Sequence, residues 1–208
     1  MKKIIWFVSL VVLASCSYDV RIRPNLDVTA SIANPINMKV GLYMPPEIKG
    51  LTMGDRARWD LKYTFRIGEA VSSIVHKGFQ RVFKTVQLVE EYPTEVMMST
   101  SKMDLIAIIN IPEANANLNI QEGFFSEDAA GNVQITANVS FFDSKLIQFT
   151  TVQATGTGMG KQGVDLFSTG QSEFSVPVEN AIRNLGNNIV QQVYGNYDIR
   201  KMADKINQ

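Results

Sequence analysis

The sequence predicts an α/β protein of the α+β kind, with a mixed, largely antiparallel sheet and two amphipathic helices packed on one face. Three observations carry this prediction. Residues 133–142 alternate apolar and polar side chains, Asp143-Ser144-Lys145 turns the chain, and residues 146–155 return, which is the signature of a β-hairpin. Two stretches, 68–84 and 178–197, repeat apolar residues at three- and four-residue steps. Residues 103–111 are almost continuously apolar, as in a strand covered on both faces near the centre of a sheet. A chain of 208 residues, 45% apolar and 19% charged, suits one globular domain with a substantial core.

Taken in order, residues 38–44 alternate and stop at Pro45-Pro46, neither of which can donate to a ladder, so they form the first strand. Residues 47–67 mix Leu51, Met53, Trp59, Tyr63 and Phe65 with Arg56, Arg58, Lys62 and Arg66, and read as a surface loop, extended near 62–67. The helix from Gly68-Glu69 carries Val71, Ile74, Val75, Phe79, Val82 and Phe83 on one stripe and Ser72, His76, Lys77, Gln80 and Arg81 opposite. Residues 85–89 form a second strand. Beyond 103–111 and Pro112, residues 114–121 alternate strictly, apolar on one face and amide on the other, and continue that strand past a bulge. Residues 123–132 read as a turn region with exposed Phe124-Phe125, and 156–163 as a glycine-rich link. The last helix places Val178, Ala181, Ile182, Leu185, Ile189, Val190, Val193, Tyr194 and Tyr197 on one stripe, with Ser175, Pro177 and Glu179 as start signals.

The N-terminus has a different character. Met1-Lys2-Lys3 precedes an apolar run from Ile4 to Leu13, too short to span a bilayer comfortably, followed by small residues and the only cysteine. The stretch Leu13-Ala14-Ser15-Cys16 resembles the lipobox of bacterial lipoproteins. The resemblance implies cleavage before Cys16, acylation of its thiol and new amine, and an extracytoplasmic domain held by membrane lipid. In such lipoproteins an aspartate after the cysteine favours inner-membrane retention. Ser17 therefore points to the outer membrane, facing the periplasm, and Asp19 stands two residues late. Several acyl chains, at about 0.8 kcal/mol per buried methylene, make a stable anchor. The expected organisation is a signal peptide over 1–15, a lipidated cysteine and flexible tether over 16–36, one domain over 37–200 and a tail over 201–208. Val20 and Ile22 fit a short edge strand at most.

Candidate chemistry is sparse. With one cysteine no intramolecular disulfide is possible, and with one histidine, His76 on a polar helix face, zinc ligation is not expected. No Gly-x-Ser-x-Gly elbow accompanies that histidine. Gly158-Met159-Gly160-Lys161-Gln162-Gly163 matches the letters of the dinucleotide fingerprint, but it follows a hairpin and opens no helix, so no cofactor is expected. Glu122, Glu127 and Asp128 lie in a solvated loop, and Asp104 sits at the wet end of a strand, which leaves a periplasmic hydrolase as a minor alternative. Removing Lys2 and Lys3 leaves 18 basic against 20 acidic residues, a balance that argues against nucleic acid as partner. Leu51, Met53, Trp59, Phe124 and Phe125 fall in expected loops and are the candidate partner-binding residues.

The lipobox, the strand-helix-strand opening, the late hairpin with its aspartate turn, the Gly-x-Gly link and the closing helix together resemble small envelope lipoproteins. These include the penicillin-binding-protein activators and the lipopolysaccharide-assembly, curli-secretion and transporter-auxiliary lipoproteins. The resemblance implies a non-catalytic, membrane-anchored protein that binds an envelope protein or lipid partner in assembly or transport. A second expectation is an oligomeric secretion or pore subunit that inserts strands from residues 114–142, since apolar–amide alternation also fits a membrane barrel.

Overall fold

The computed structural model describes residues 16–58, 61–122, 127–164 and 174–206. Among these, eight strands and five helices build an α+β fold with two mixed sheets. The larger sheet has the strand order β5-β2-β6-β7-β8. Its members are β2 (Ile36–Tyr43), β5 (Phe83–Val89), β6 (Leu105–Glu122), β7 (Glu127–Phe142) and β8 (Gln148–Val164). Strand β2 runs parallel to both β5 and β6, while β6, β7 and β8 form an antiparallel meander. The continuous apolar run puts Leu105, Ile106, Ala107 and Ile109 of β6 in full burial beside β2. The ladder shifts register between Asn110 and Glu113, where Pro112 removes a donor, and then resumes to Glu122.

Helices α2 (Gly68–Val82) and α4 (Ser175–Gly195) lie side by side on one face of this sheet. On α2 the stripe Ala70, Val71, Ile74, Val75, Phe79 and Val82 is buried, and Phe79 stacks on Phe141 of β7 with ring centroids 6.0 Å apart. On α4 the buried stripe runs from Val178 to Val193. The two helices meet where both lack a side chain. A Cβ built on Gly78 would stand 3.5 Å from the Gly186 carbonyl, and one on Gly186 2.5 Å from Ile74 Cγ1. On the opposite face of the sheet the short α3 (Glu95–Ser101) covers a separate small cluster of Tyr43, Val89, Met98, Met103 and Ile106.

Several expectations are corrected. The glycine-rich stretch is no link: residues 156–163 belong to β8, and residues 127–132, expected in a turn, belong to β7. Residues 47–67 form more than a loop. They contain α1 (Pro46–Lys49) and the hairpin β3 (Thr52–Arg58) and β4 (Leu61–Arg66). The last helix ends at Gly195, and Asn196 Oδ1 then accepts from Ile199 N–H to start α5 (Tyr197–Ile206), which occupies most of the expected tail. Tyr197, placed by periodicity on the buried stripe, is exposed.

The stretch read as a tether is docked along its length. Strand β1 (Cys16–Arg21) runs parallel to β4 from Cys16 opposite Leu61 to Arg21 opposite Arg66, giving the second sheet the order β1-β4-β3. After β1 the chain crosses the helix layer with Ile22, Leu26 and Val28 buried. Asn187 of α4 fastens this strap: its Oδ1 accepts from the backbone N–H groups of Thr29 and Ala30, both at 2.9 Å. Lys77 of α2 donates to the Leu26 carbonyl at 2.7 Å. Three apolar side chains at spacings of four and two residues are enough to order a segment whose prolines and small polar residues suggested otherwise.

Candidate functional site

The sequence-named residues divide. Met53 faces inward from β3, in register with Phe65, and is buried in the main core. Leu51 is half-buried, and its carbonyl accepts the N–H groups of Ile67 and Gly68, which start α2. Met53 is therefore withdrawn from the surface, whereas Leu51 remains part-exposed beside a cleft. Trp59, Phe124 and Phe125 lie outside the described residues, as do Leu13, Ala14 and Ser15 of the lipobox. Cys16 is the first residue of β1.

The small sheet is two-sided. Tyr18, Val20, Met53, Tyr63 and Phe65 turn inward, with Tyr63 stacked on Tyr18 at 5.2 Å and edge-on to Phe174 at 4.9 Å. The outer face is charged. Asp19 receives Arg66 Nε at 2.9 Å and also the Arg66 Nη2 group. Arg21 Nη2 donates to both oxygens of Glu69, at 2.8 and 2.6 Å. These pairs line a cleft of about 370 Å³ together with Lys49, Thr52 and Thr64. The Arg66 hydrogen bond holds Asp19 below its ordinary value of 3.8. That carboxyl stays ionised at neutral pH and is poorly suited to donate a proton as a general acid.

The most extended surface feature is the open face of β6, β7 and β8. Outward positions pair across the strands in rows: Asn110, Asn138 and Gln153; Glu113, Thr136 and Thr155; Asn115, Gln134 and Thr157; Asn117, Asn132 and Met159. The inward neighbours Ala114, Ala116, Leu118, Val133, Ile135, Val139, Val152 and Ala154 all belong to the main core. Asparagine is depleted in strands, so β-propensity alone does not explain the asparagines of this face. In these four rows Glu113 is the only ionisable group, and it accepts from Asn115 Nδ2 at 2.8 Å and Gln134 Nε2 at 3.2 Å. Gln153 Nε2 donates to Asn138 Oδ1 at 3.1 Å. The result is a nearly uncharged array of amide and hydroxyl groups able both to donate and to accept, with Thr136 buried within it. Sequence reading found its first strand in the alternation of 114–121 but not its continuation onto β7 and β8.

The free edge of β8 is closed. Asn184 and Asn188, one helical turn apart on α4, donate to the carbonyls of Thr157 and Thr155, each at 2.6 Å. Helix α4 comes this close because Gly156, Gly158 and Gly160 leave room on one face of β8. A Cβ at Gly158 would stand 1.9 Å from the Pro177 carbonyl oxygen. Capping an edge in this way blocks strand addition there. Among the described residues no three His, Cys, Asp or Glu side chains converge on a metal-sized site, and no helix is long and apolar enough to cross a membrane. Burial lowers the pKa of His76 from its ordinary 6.5, so its ring is neutral at pH 7.

Fold and surface together define an α+β domain with helices on one face of a long meander and an amide-hydroxyl array on the other. No protein-family model matches the chain, and no curated protein matches it. Solved structures with a similar chain trace do exist. A neuraminyllactose-binding hemagglutinin homolog from Helicobacter pylori aligns with a TM-score of 0.45 at 8% identity, covering 90% of this chain and 98% of that one. The hypothetical protein CT253 from Chlamydia trachomatis gives 0.41 at 14% identity over 76% of this chain and 96% of that one. A PelC dodecamer from Paraburkholderia phytofirmans gives 0.36 at 8% identity over 80% and 91%.

Proposed function

We propose that this chain is a lipid-anchored protein of the bacterial envelope, acylated on Cys16 at the periplasmic face of the outer membrane. In this reading it works by binding an envelope partner rather than by catalysis. The observation that carries the reading is the lipobox Leu13-Ala14-Ser15-Cys16, and the described chain from Cys16 onward is paired in the β1 ladder. Pairing of Cys16 itself with Leu61 is consistent with an anchor joined directly to a fold.

Binding rather than catalysis is supported by the surfaces. Four of the five charged groups of the cleft neutralise one another in pairs, while the β6–β8 array offers hydrogen-bonding capacity across three strands. That array is the partner surface we favour, in place of the loop aromatics. The strand-insertion alternative would need the apolar side chains of 114–142 to face lipid. Leu118, Val133, Ile135 and Val139 instead fill the core, so insertion would have to undo it.

Two measurements test the reading. Cys16→Ala should abolish acyl labelling and leave unprocessed precursor; unchanged labelling removes the anchor. Crosslinking in intact envelopes should yield a partner band that is lost in an Asn132→Asp, Gln134→Glu double variant, which places two charges in the array. A band that survives both substitutions puts the partner surface elsewhere.

A further inference from the structure

The pairing of Cys16 with Leu61 constrains how the domain meets the membrane. We infer that the Cys16 end of the small sheet is a contact surface for anionic phospholipid headgroups, with Lys62 and Arg56 as its cations. The inference rests on the anchor proposed above.

Cys16 lies opposite Leu61, which lies opposite Arg58, and the next row outward-facing is Ser17, Lys62 and Arg56. Neighbouring strands are about 4.8 Å apart and residues rise about 3.3 Å, so the Cys16 and Lys62 backbones stand roughly 6 Å apart, and those of Cys16 and Arg56 roughly 10 Å. An acyl group on Cys16 therefore leaves no slack in which this row can stay clear of the headgroups. Charge makes the contact specific. Lys62 and Arg56 are exposed, and neither makes an ion pair among the described residues. Two further cations of the outer face are already occupied, Arg66 by Asp19 and Arg21 by Glu69. The carboxylate of Asp55 accepts from the Arg56 and Leu118 backbone N–H groups, at 2.7 and 2.9 Å, and turns away from this row. Two cations with no ion-pair partner among the described residues, beside a lipid attachment point, fit a surface of negative phosphates.

The test uses the intact acylated protein reconstituted into vesicles and a water-soluble amine-acylating reagent, read lysine by lysine by mass spectrometry. A lysine or arginine at an anionic surface contributes about fivefold in local affinity. Lys62 should be protected at least fivefold in phosphatidylglycerol-containing vesicles relative to phosphatidylcholine vesicles. Lys201, on α5 where it packs on β2 and β8, should react equally in both. Arg56→Gln should reduce the protection of Lys62 several-fold without changing vesicle association. Equal protection in both lipids, or none in protein that floats with the vesicles, overturns the contact while leaving the anchor standing. Protein that carries no acyl label and does not float overturns the anchor, and the contact with it.

Discussion

Gly156→Ala is expected to lower the stability of the fold severely for so small a change. No described glycine has a positive φ, so the backbone itself accepts alanine. The obstacle is space: the new Cβ would stand 2.1 Å from the Ala181 carbonyl oxygen and 2.4 Å from Leu185 N. An ordinary carbon–oxygen approach is about 3.3 Å, so α4 must retreat by roughly 1 Å. Overpacking of this kind costs about 1–3 kcal/mol. The retreat also stretches the Asn184 and Asn188 bonds to β8, now 2.6 Å each, and a typical hydrogen bond contributes about 1 kcal/mol. The sum is roughly 3–5 kcal/mol. With a urea slope of about 1–3 kcal/mol per molar, the unfolding midpoint should fall by about 1 M or more. Gly195→Ala is the control, since a Cβ there has nothing within 4 Å. It should be neutral or gain up to about 1 kcal/mol from helix propensity. A Gly156→Ala midpoint within about 0.3 M of the parent would refute the claim that the glycine face of β8 seats α4.

Three further outcomes are expected. Asn187→Ala removes the acceptor of two strap amides and should cost about 1–3 kcal/mol, with faster hydrogen exchange at Thr29 and Ala30; unchanged exchange there would show the strap held by its apolar side chains alone. An Asn184→Ala, Asn188→Ala pair uncovers the Thr157 and Thr155 carbonyls, and light scattering should show concentration-dependent self-association; a strictly monodisperse variant would deny the edge-capping role. Burial holds His76 below 6.5, so the unfolded chain binds more protons in that range and stability is lost as pH falls below about 6.5. His76→Gln should flatten the thermal midpoint between about pH 5 and 7, and an unchanged slope would assign the dependence to other groups.

Elements with a single strong period were legible in the sequence. The two long helices, the β7–β8 hairpin and the buried run of β6 each repeat apolar side chains at one spacing over ten residues or so. The small sheet was not. In β3 the inward positions are Met53, Asp55 and Ala57, and an inward aspartate that serves Leu118 N–H erases the pattern. The glycine stretch misled for a different reason. Glycine weakens strands in general, yet Gly156, Gly158 and Gly160 fall at period two, the spacing of one strand face, and that period was the available signal of a helix seat. Of the candidate site, the amide alternation on β6 was visible, but its extension depends on cross-strand register, which a single sequence does not display.

The strap over the helices sets an order of assembly. Asn187 and Thr29 are 158 residues apart, and their bond exists only once α4 has been made and docked. Phe174, which meets the Tyr63 ring, likewise comes from the last quarter of the chain. The N-terminal segment, first to be synthesised, is thus among the last to be closed down, in keeping with the slow formation of contacts distant in sequence. Until α4 docks, the Thr29 and Ala30 amides lack the Asn187 acceptor and the strap stays open. A variant that delays α4 docking would therefore lengthen the interval during which the strap is accessible, a kinetic effect separable from any loss of final stability.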